Sequence, residues 1–141
     1  MNMPNSQCEL CQQQGDVIVK ADEWRVVLVN DAHYPGFCRV IWHEHVQEMS
    51  DLPLEKRTLM MNVVWQVEQA IRDVIQPDKI NLASFGNMVP HLHWHVIPRF
   101  KDDMHFPNPI WGQVERSINP AMRERAGLIP ALKAAIQARL A

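Results

Sequence analysis

Three features of the 141-residue sequence predict an α+β domain. Short runs rich in β-branched residues fill the first third, one long stretch carries apolar residues at helical spacing, and further strand-like runs precede a helical C-terminus. Strands and helices grouped in this way, rather than alternating one by one, give the α+β class. The expected sheet is an antiparallel meander of about five strands, with one long helix and a C-terminal helix on one side. The length fits a single domain over residues 1–141. A chain of this size buries roughly two thirds of the surface exposed when unfolded, so a core forms without disulfides.

Residues 8–15 are a polar lead-in containing Cys8-Glu9-Leu10-Cys11. Residues 17–20 and 24–29 read as strands separated by a turn at 21–23. A loop at 30–36, with Pro35-Gly36 as its strongest turn signal, leads to a third strand at 37–42. Ser50 and Asp51 can then cap a helix whose first turn holds Pro53 and Glu55. Met60, Val63, Val64, Val67, Ile71, Val74 and Ile75 recur at three- and four-residue steps and define its buried face. Pro77 ends the pattern. Residues 79–85 and 92–97 give the fourth and fifth strands, joined by 86–90. The chain is then polar and proline-bearing, and a helical stretch expected to break near Pro130 closes it.

Composition excludes several classes of function. A net charge of -2 argues against a general electrostatic grip on nucleic acid, which needs clustered Lys and Arg. No apolar run approaches the roughly 18 residues of a membrane span, and residues 1–15 show no apolar signal region. Three cysteines are too few for a disulfide scaffold; the expectation is a reducing cytoplasm. Tryptophans default to core or interface packing, with Trp111 the exception that can cover a base or a partner. Lys101, Asp102 and Asp103 read as a solvated turn, and Arg99 as either a phosphate contact or a surface residue. Cys38, inside a strand, reads as a small buried hydrophobe.

The informative stretch is His91-Leu92-His93-Trp94-His95-Val96-Ile97. On a strand, alternate side chains share a face, so the histidines point one way and Leu92, Trp94 and Val96 point into the core. Aligned imidazoles can bind a metal or provide a nucleophile with supporting proton-transfer groups. The loop 86–89 just before them, opened by a glycine, can expose backbone N–H groups toward an anion.

His-φ-His-φ-His-φ-φ, with φ apolar, is the signature of the histidine triad (HIT) family, and residues 91–97 resemble it at every position. Pro98-Arg99, Val40-Ile41, His45-Val46, Asp51-Leu52 and the Gly-x-x-Val pattern of 86–89 extend the resemblance over about residues 8–100. It implies a HIT-like fold and a homodimer acting on nucleotides, with a purine nucleotide as the expected substrate. It also implies that His93 attacks an α-phosphate to form a nucleotidyl-histidine, which water hydrolyses without a catalytic cofactor. His95 would contact the phosphate and assist proton movement, and backbone near His91 would orient the His93 ring. Asn30 matches a ribose-binding position. Asn81 and Gly86, Asn87, Met88 and Val89 match sugar and phosphate contacts.

Two departures bear on specificity. Where many family members carry Gly-Gln-Ser or Gly-Gln-Thr, this chain has Gly86-Asn87-Met88, which lacks the hydroxyl donor and shortens the amide. His95 stands where the transferase branch has Gln, which favours hydrolysis. Members with an N-terminal Cys-x-x-Cys resemble this chain in carrying structural zinc, and the matching ligands here are Cys8, Cys11, His45 and His91; His43 is the alternative to His45. The leading function is hydrolysis of nucleoside phosphoramidates or dinucleoside polyphosphates. The alternatives are a nucleotidyltransferase or phosphorylase, a non-catalytic nucleotide-binding module, and a metal enzyme using all three triad histidines as ligands.

Overall fold

The computed structural model describes residue 5 and residues 7–141. Five strands, β1 (Asp16–Lys20), β2 (Trp24–Leu28), β3 (Cys38–Trp42), β4 (Lys79–Ala83) and β5 (His93–Arg99), form one sheet in the order β1-β2-β3-β5-β4. Every pairing is antiparallel. The sheet departs from the expected plain meander at one point. After β3 the long helix α1 (Leu54–Val74) carries the chain to the far edge, and β5 then returns to fill the place between β4 and β3. This insertion sets the triad strand between two neighbours and away from an edge.

One face of the sheet builds the core. Val26, Leu28, Cys38, Val40, Trp42 and Val96 pack against Met60, Val63, Val64, Val67, Ala70 and Ile71 of α1 and against Leu132 and Ile136 of α3 (Ile129–Leu140). Burying a side chain of this size contributes about 1.5–3 kcal/mol, so the helical stripe read from sequence is the main source of helix stability. Gly36 is the turn that permits close packing here. Its φ is +92°, and a Cβ would stand 3.2 Å from Ile75 Cγ1 and 3.3 Å from Leu132 Cδ2. None of the described helices is long and apolar enough to cross a membrane.

Several boundaries differ from expectation. Ser50 and Asp51 belong to a 3₁₀ turn, Met49–Asp51, closed by a reciprocal capping box between Glu48 and Asp51. Pro53 is the cap residue of α1 itself, lacking a side-chain cap, and so stands before the first turn rather than in it. The C-terminal break falls at Gly127–Leu128, between α2 (Ala121–Ala126) and α3, with Pro130 in the first turn of α3, where its missing N–H costs nothing. Trp24 and Trp42 are buried and Trp94 is half-buried, but Trp65 lies on the outer side of α1 and is 54% exposed.

The turn after β5 is a further correction. Asp103 is fully buried and its carboxylate accepts from Arg99 Nε at 2.9 Å, from Arg99 Nη2 at 3.1 Å and from three backbone N–H groups. Arg99 is therefore an internal anchor rather than a surface or phosphate group, and of the expected solvated turn Lys101 is exposed and Asp102 partly so, while Asp103 is buried. Sequence proximity on either side of a turn let the two charges pair in the interior.

Candidate active site and metal centre

The sheet face opposite the helices carries the chemistry. Arg25 and Val27 of β2, Arg39 and Ile41 of β3, and His93, His95 and Ile97 of β5 share this face, as alternation requires. Two loops wall it. At one end Cys8 and Leu10 pack on Val27 and Ile41, and Arg25 Nη2 donates to the Leu10 carbonyl at 2.9 Å. At the other end Ile110 joins Tyr34, Phe37 and Ile97. Between the walls lies a cavity of ≈ 470 Å³, whose lining includes Glu9, Arg39, Met88, His93, His95 and Trp111.

His93 Nδ1 donates to the His91 carbonyl at 2.6 Å. That bond fixes the tautomer, so in the neutral ring the lone pair is on Nε2. The His95 ring stands 4.9 Å from that of His93, between Phe37 at 5.6 Å and Trp111 at 5.0 Å. Its Nδ1 is buried without a hydrogen-bond partner. Burial pushes His93 toward its neutral form, with the His91 carbonyl opposing and Arg39 reinforcing the effect. For His95, burial and then the charges of His93 and Arg39 push the pKa down to about 3. Both rings are thus neutral at pH 7, as a nucleophile must be.

His91 has a separate place. Its Nε2 donates to the Trp42 carbonyl at 2.6 Å, which leaves Nδ1 as a lone pair. That Nδ1 lies 3.4 Å from the Sγ atoms of both Cys8 and Cys11 and 3.2 Å from His45 Nδ1, and Cys11 Sγ lies 3.2 Å from His45 Nδ1. The four ligand atoms lie within 4.8 Å of one another. A tetrahedral zinc with Zn–S near 2.3 Å and Zn–N near 2.0–2.1 Å sets S···N edges of about 3.5 Å and N···N edges of about 3.3 Å. Those four spacings lie near these edges, and a small contraction of the set, which reaches 4.8 Å at its widest, would let it hold zinc. His43, the alternative ligand, instead meets Gln13 Nε2 at 2.9 Å outside the cluster. The four ligands come from three segments: Cys8 and Cys11 from the Cys-x-x-Cys turn, His45 from the segment after β3, and His91 from the entry to β5.

Other expected nucleotide contacts divide. Gly86, at φ +68°, Asn87, Met88 and Val89 form the rim of the cavity. Met88 is 94% exposed there. Asn30 is exposed beyond β2 and is not among the lining residues. Asn81, on β4, also lies off the cavity, its Oδ1 accepting from Arg99 Nη1 at 2.7 Å. Arg39 and Glu9 line the cavity without having been singled out from sequence. The available signal for Arg39 was a lone cation within the apolar strand Cys38–Trp42.

An antiparallel α+β sheet bearing paired neutral imidazoles over a cavity, with a Cys₂His₂ cluster behind them, defines a histidine-triad domain. The chain belongs to the HIT domain family, whose model matches residues 11–102. In solved structures it is similar to a histidine triad protein from Bradyrhizobium japonicum, with 24% identity and a TM-score of 0.75 over 96% of this chain and 98% of the other. Among curated proteins it is 26% identical over 110 residues to an AP-4-A phosphorylase of Mycobacterium tuberculosis, covering 74% of this chain and 56% of that protein. It is 30% identical over 88 residues to a bis(5'-nucleosyl)-tetraphosphatase (asymmetrical) of Schizosaccharomyces pombe, covering 59% and 48%. The chain therefore spans about half the length of the curated relatives it matches.

Proposed function

We propose that the protein hydrolyses nucleotides at the α-phosphorus through a nucleotidyl intermediate on His93. The observation that carries this reading is the 2.6 Å bond from His93 Nδ1 to the His91 carbonyl, which aims an Nε2 lone pair from a buried, neutral ring on the cavity wall. Nε2 forms a bond to the α-phosphorus as the bond from phosphorus to the leaving group breaks. Water then attacks the same phosphorus, the N–P bond breaks, and a nucleoside monophosphate leaves with His93 restored. As positive charge develops on the attacking ring, the His91 carbonyl stabilises it. His95, 4.9 Å away, is the neighbour able to contact the phosphate and relay a proton. The backbone of residues 86–89 offers donors to the non-bridging oxygens.

The names of the two curated relatives support a dinucleoside polyphosphate as substrate, and one of them favours a second reading, phosphorolysis. Orthophosphate added during turnover then yields a nucleoside diphosphate in place of the monophosphate. The test of the common step is rapid quench with a labelled dinucleoside polyphosphate. An acid-labile phosphoramidate should form on wild type and be absent from His93→Ala. Turnover by His93→Ala at a near-normal rate overturns the assignment.

A further inference from the structure

Phe85 and Trp111 both line the cavity that holds His93 and His95, one just after β4 and the other in the loop that follows β5. Their rings meet edge to face, with centroids 5.1 Å apart and planes at 87°. Despite this contact, and that of Trp111 with His95, Phe85 is 60% and Trp111 52% exposed. Large aromatic surface left open inside a cavity marks a place where a ligand sits. The corner is also held in place in advance. On one side of Trp111, Ile110 packs against Tyr34, Phe37 and Ile97, and Arg99 Nη2 donates to the Asn108 carbonyl at 2.6 Å. On the other side, the Gly112 N–H donates to the Pro109 carbonyl at 2.9 Å and Asn108 Nδ2 donates to the Gln113 carbonyl at 3.1 Å. A ring-sized ligand would therefore meet two aromatic surfaces that need little reordering to receive it.

We infer that the Phe85–Trp111 corner is a subsite for an aromatic ring, the nucleobase carried by the leaving group of the substrate. The inference rests on the reading that His93 attacks the α-phosphorus. Two rings at right angles offer a flat ligand one face to stack on and one edge to abut, the arrangements that aromatic groups favour. Sheet order assigns the side. Asn30, the position matched to ribose, follows β2, which lies beyond β3 from the triad strand, whereas Phe85 follows β4 on the other flank of β5. Nucleoside and leaving group diverge from the phosphorus. A nucleoside directed toward β2 therefore leaves the β4 flank, and the corner on it, to the leaving group. The same rim carries Met88, a flexible apolar side chain suited to lie against a ring.

Diadenosine tetraphosphate and adenosine 5'-tetraphosphate share one phosphate chain and differ in the second adenosine. Calorimetric binding of both to His93→Ala, alone and combined with Trp111→Ala, Trp111→Phe or Phe85→Ala, tests the inference without turnover. The His93→Ala protein should prefer the dinucleotide. Trp111→Ala should cut that preference by about 5–100-fold, the range set by stacking of one base on one aromatic side chain. Trp111→Phe should keep most of it, because a ring remains, and Phe85→Ala should lower it. AMP, which carries no leaving-side ring, should bind all these proteins nearly alike. Equal losses for AMP and the dinucleotide, or an unchanged preference in Trp111→Ala, overturn the inference; if Trp111→Ala does not fold, Phe85→Ala decides by the same comparison. A changed sedimentation coefficient with an unchanged preference would put a second copy of the chain on the corner and overturn it likewise. Failure to trap a nucleotide on His93 of wild type would remove the hydrolase reading, while the binding comparison would still decide whether the corner takes a ring.

Discussion

His91 joins two sites: its carbonyl accepts the Nδ1–H of His93 at 2.6 Å, while its own Nδ1 lies 3.4 Å from the sulfur of Cys8 and of Cys11. The residue whose carbonyl holds the ring of His93, the proposed nucleophile, thus belongs to the cluster that can bind zinc. Purified protein should contain about one zinc per chain. Changing Cys8 and Cys11 to Ser should remove it and lower the thermal midpoint, because a structural metal contributes directly to folding. It should also reduce kcat, since freeing His91 loosens the carbonyl that aims His93. Metal analysis, calorimetry and single-turnover kinetics read the three effects separately. Full stability and turnover in a metal-free variant would break the link.

His93→Ala should abolish turnover with nucleotide affinity largely kept. The lost atom is the proposed nucleophile, whereas Arg39 and the 86–89 rim, which also line the cavity, remain. His95→Ala should be milder, a loss of about 10²–10⁴-fold in kcat, because water can assume part of a proton-transfer role. Comparable loss in both variants would require His95 to act in bond formation itself. Steady-state kinetics with calorimetric binding separates the outcomes.

Much of this was legible in the primary structure because alternation and ligand spacing are local rules. The face shared by His93 and His95 and the apolar stripe of α1 follow from short-range geometry, whereas the convergence of Cys8, Cys11, His45 and His91, up to 83 residues apart, was implied by the family resemblance and not by any local rule. What escaped depends on partners distant in sequence. Arg99 and Asp103 looked exposed because nothing local shows that the 100–116 loop folds back over them. Arg39 is half-buried in the cavity only because β5 inserts beside β3, which brings His95 next to it. Trp65 was assigned to packing by residue type, although the helical stripe of α1 already leaves its position off the buried face.

Stability should fall in acid with a component specific to His95. Its pKa is pushed down to about 3 in the folded state, from an ordinary value of 6.5. Between those values the unfolded chain binds more protons at this site than the folded chain, so stability rises with pH. The contribution is complete above about 6.5 and is lost as pH falls toward 3, at a slope of up to ~1.4 kcal/mol per pH unit. Urea unfolding midpoints between pH 4 and 7 should therefore fall less steeply in His95→Gln. Parallel profiles for the two proteins would show that His95 does not carry the effect.

The pair Arg99–Asp103 should govern both stability and the shape of the cavity. Both side chains are almost fully buried. Despite burial, which opposes its charge, Asp103 is held below the usual carboxylate range by Arg99 and by backbone donors at Phe100 and Phe106. The same carboxylate thus pins the start of the loop that ends in Ile110 and Trp111, and Arg99 Nη2 reaches further along it to the Asn108 carbonyl at 2.6 Å. Removing one partner leaves an uncompensated internal charge, so Asp103→Ala should cost about 3–5 kcal/mol. Arg99→Met alone should be similarly damaging, while the double variant Arg99→Met with Asp103→Leu should recover part of the loss by replacing the pair with packed apolar groups. The backbone N–H groups of Phe100, His105 and Phe106 also lose their acceptor in the double variant. Recovery should therefore be incomplete, and the loop should loosen where Trp111 meets His95. Chemical denaturation of the three variants measures the coupling, and a rise in KM with kcat less affected should accompany it in the double variant. Strict additivity of the single effects would show that the two charges do not depend on each other.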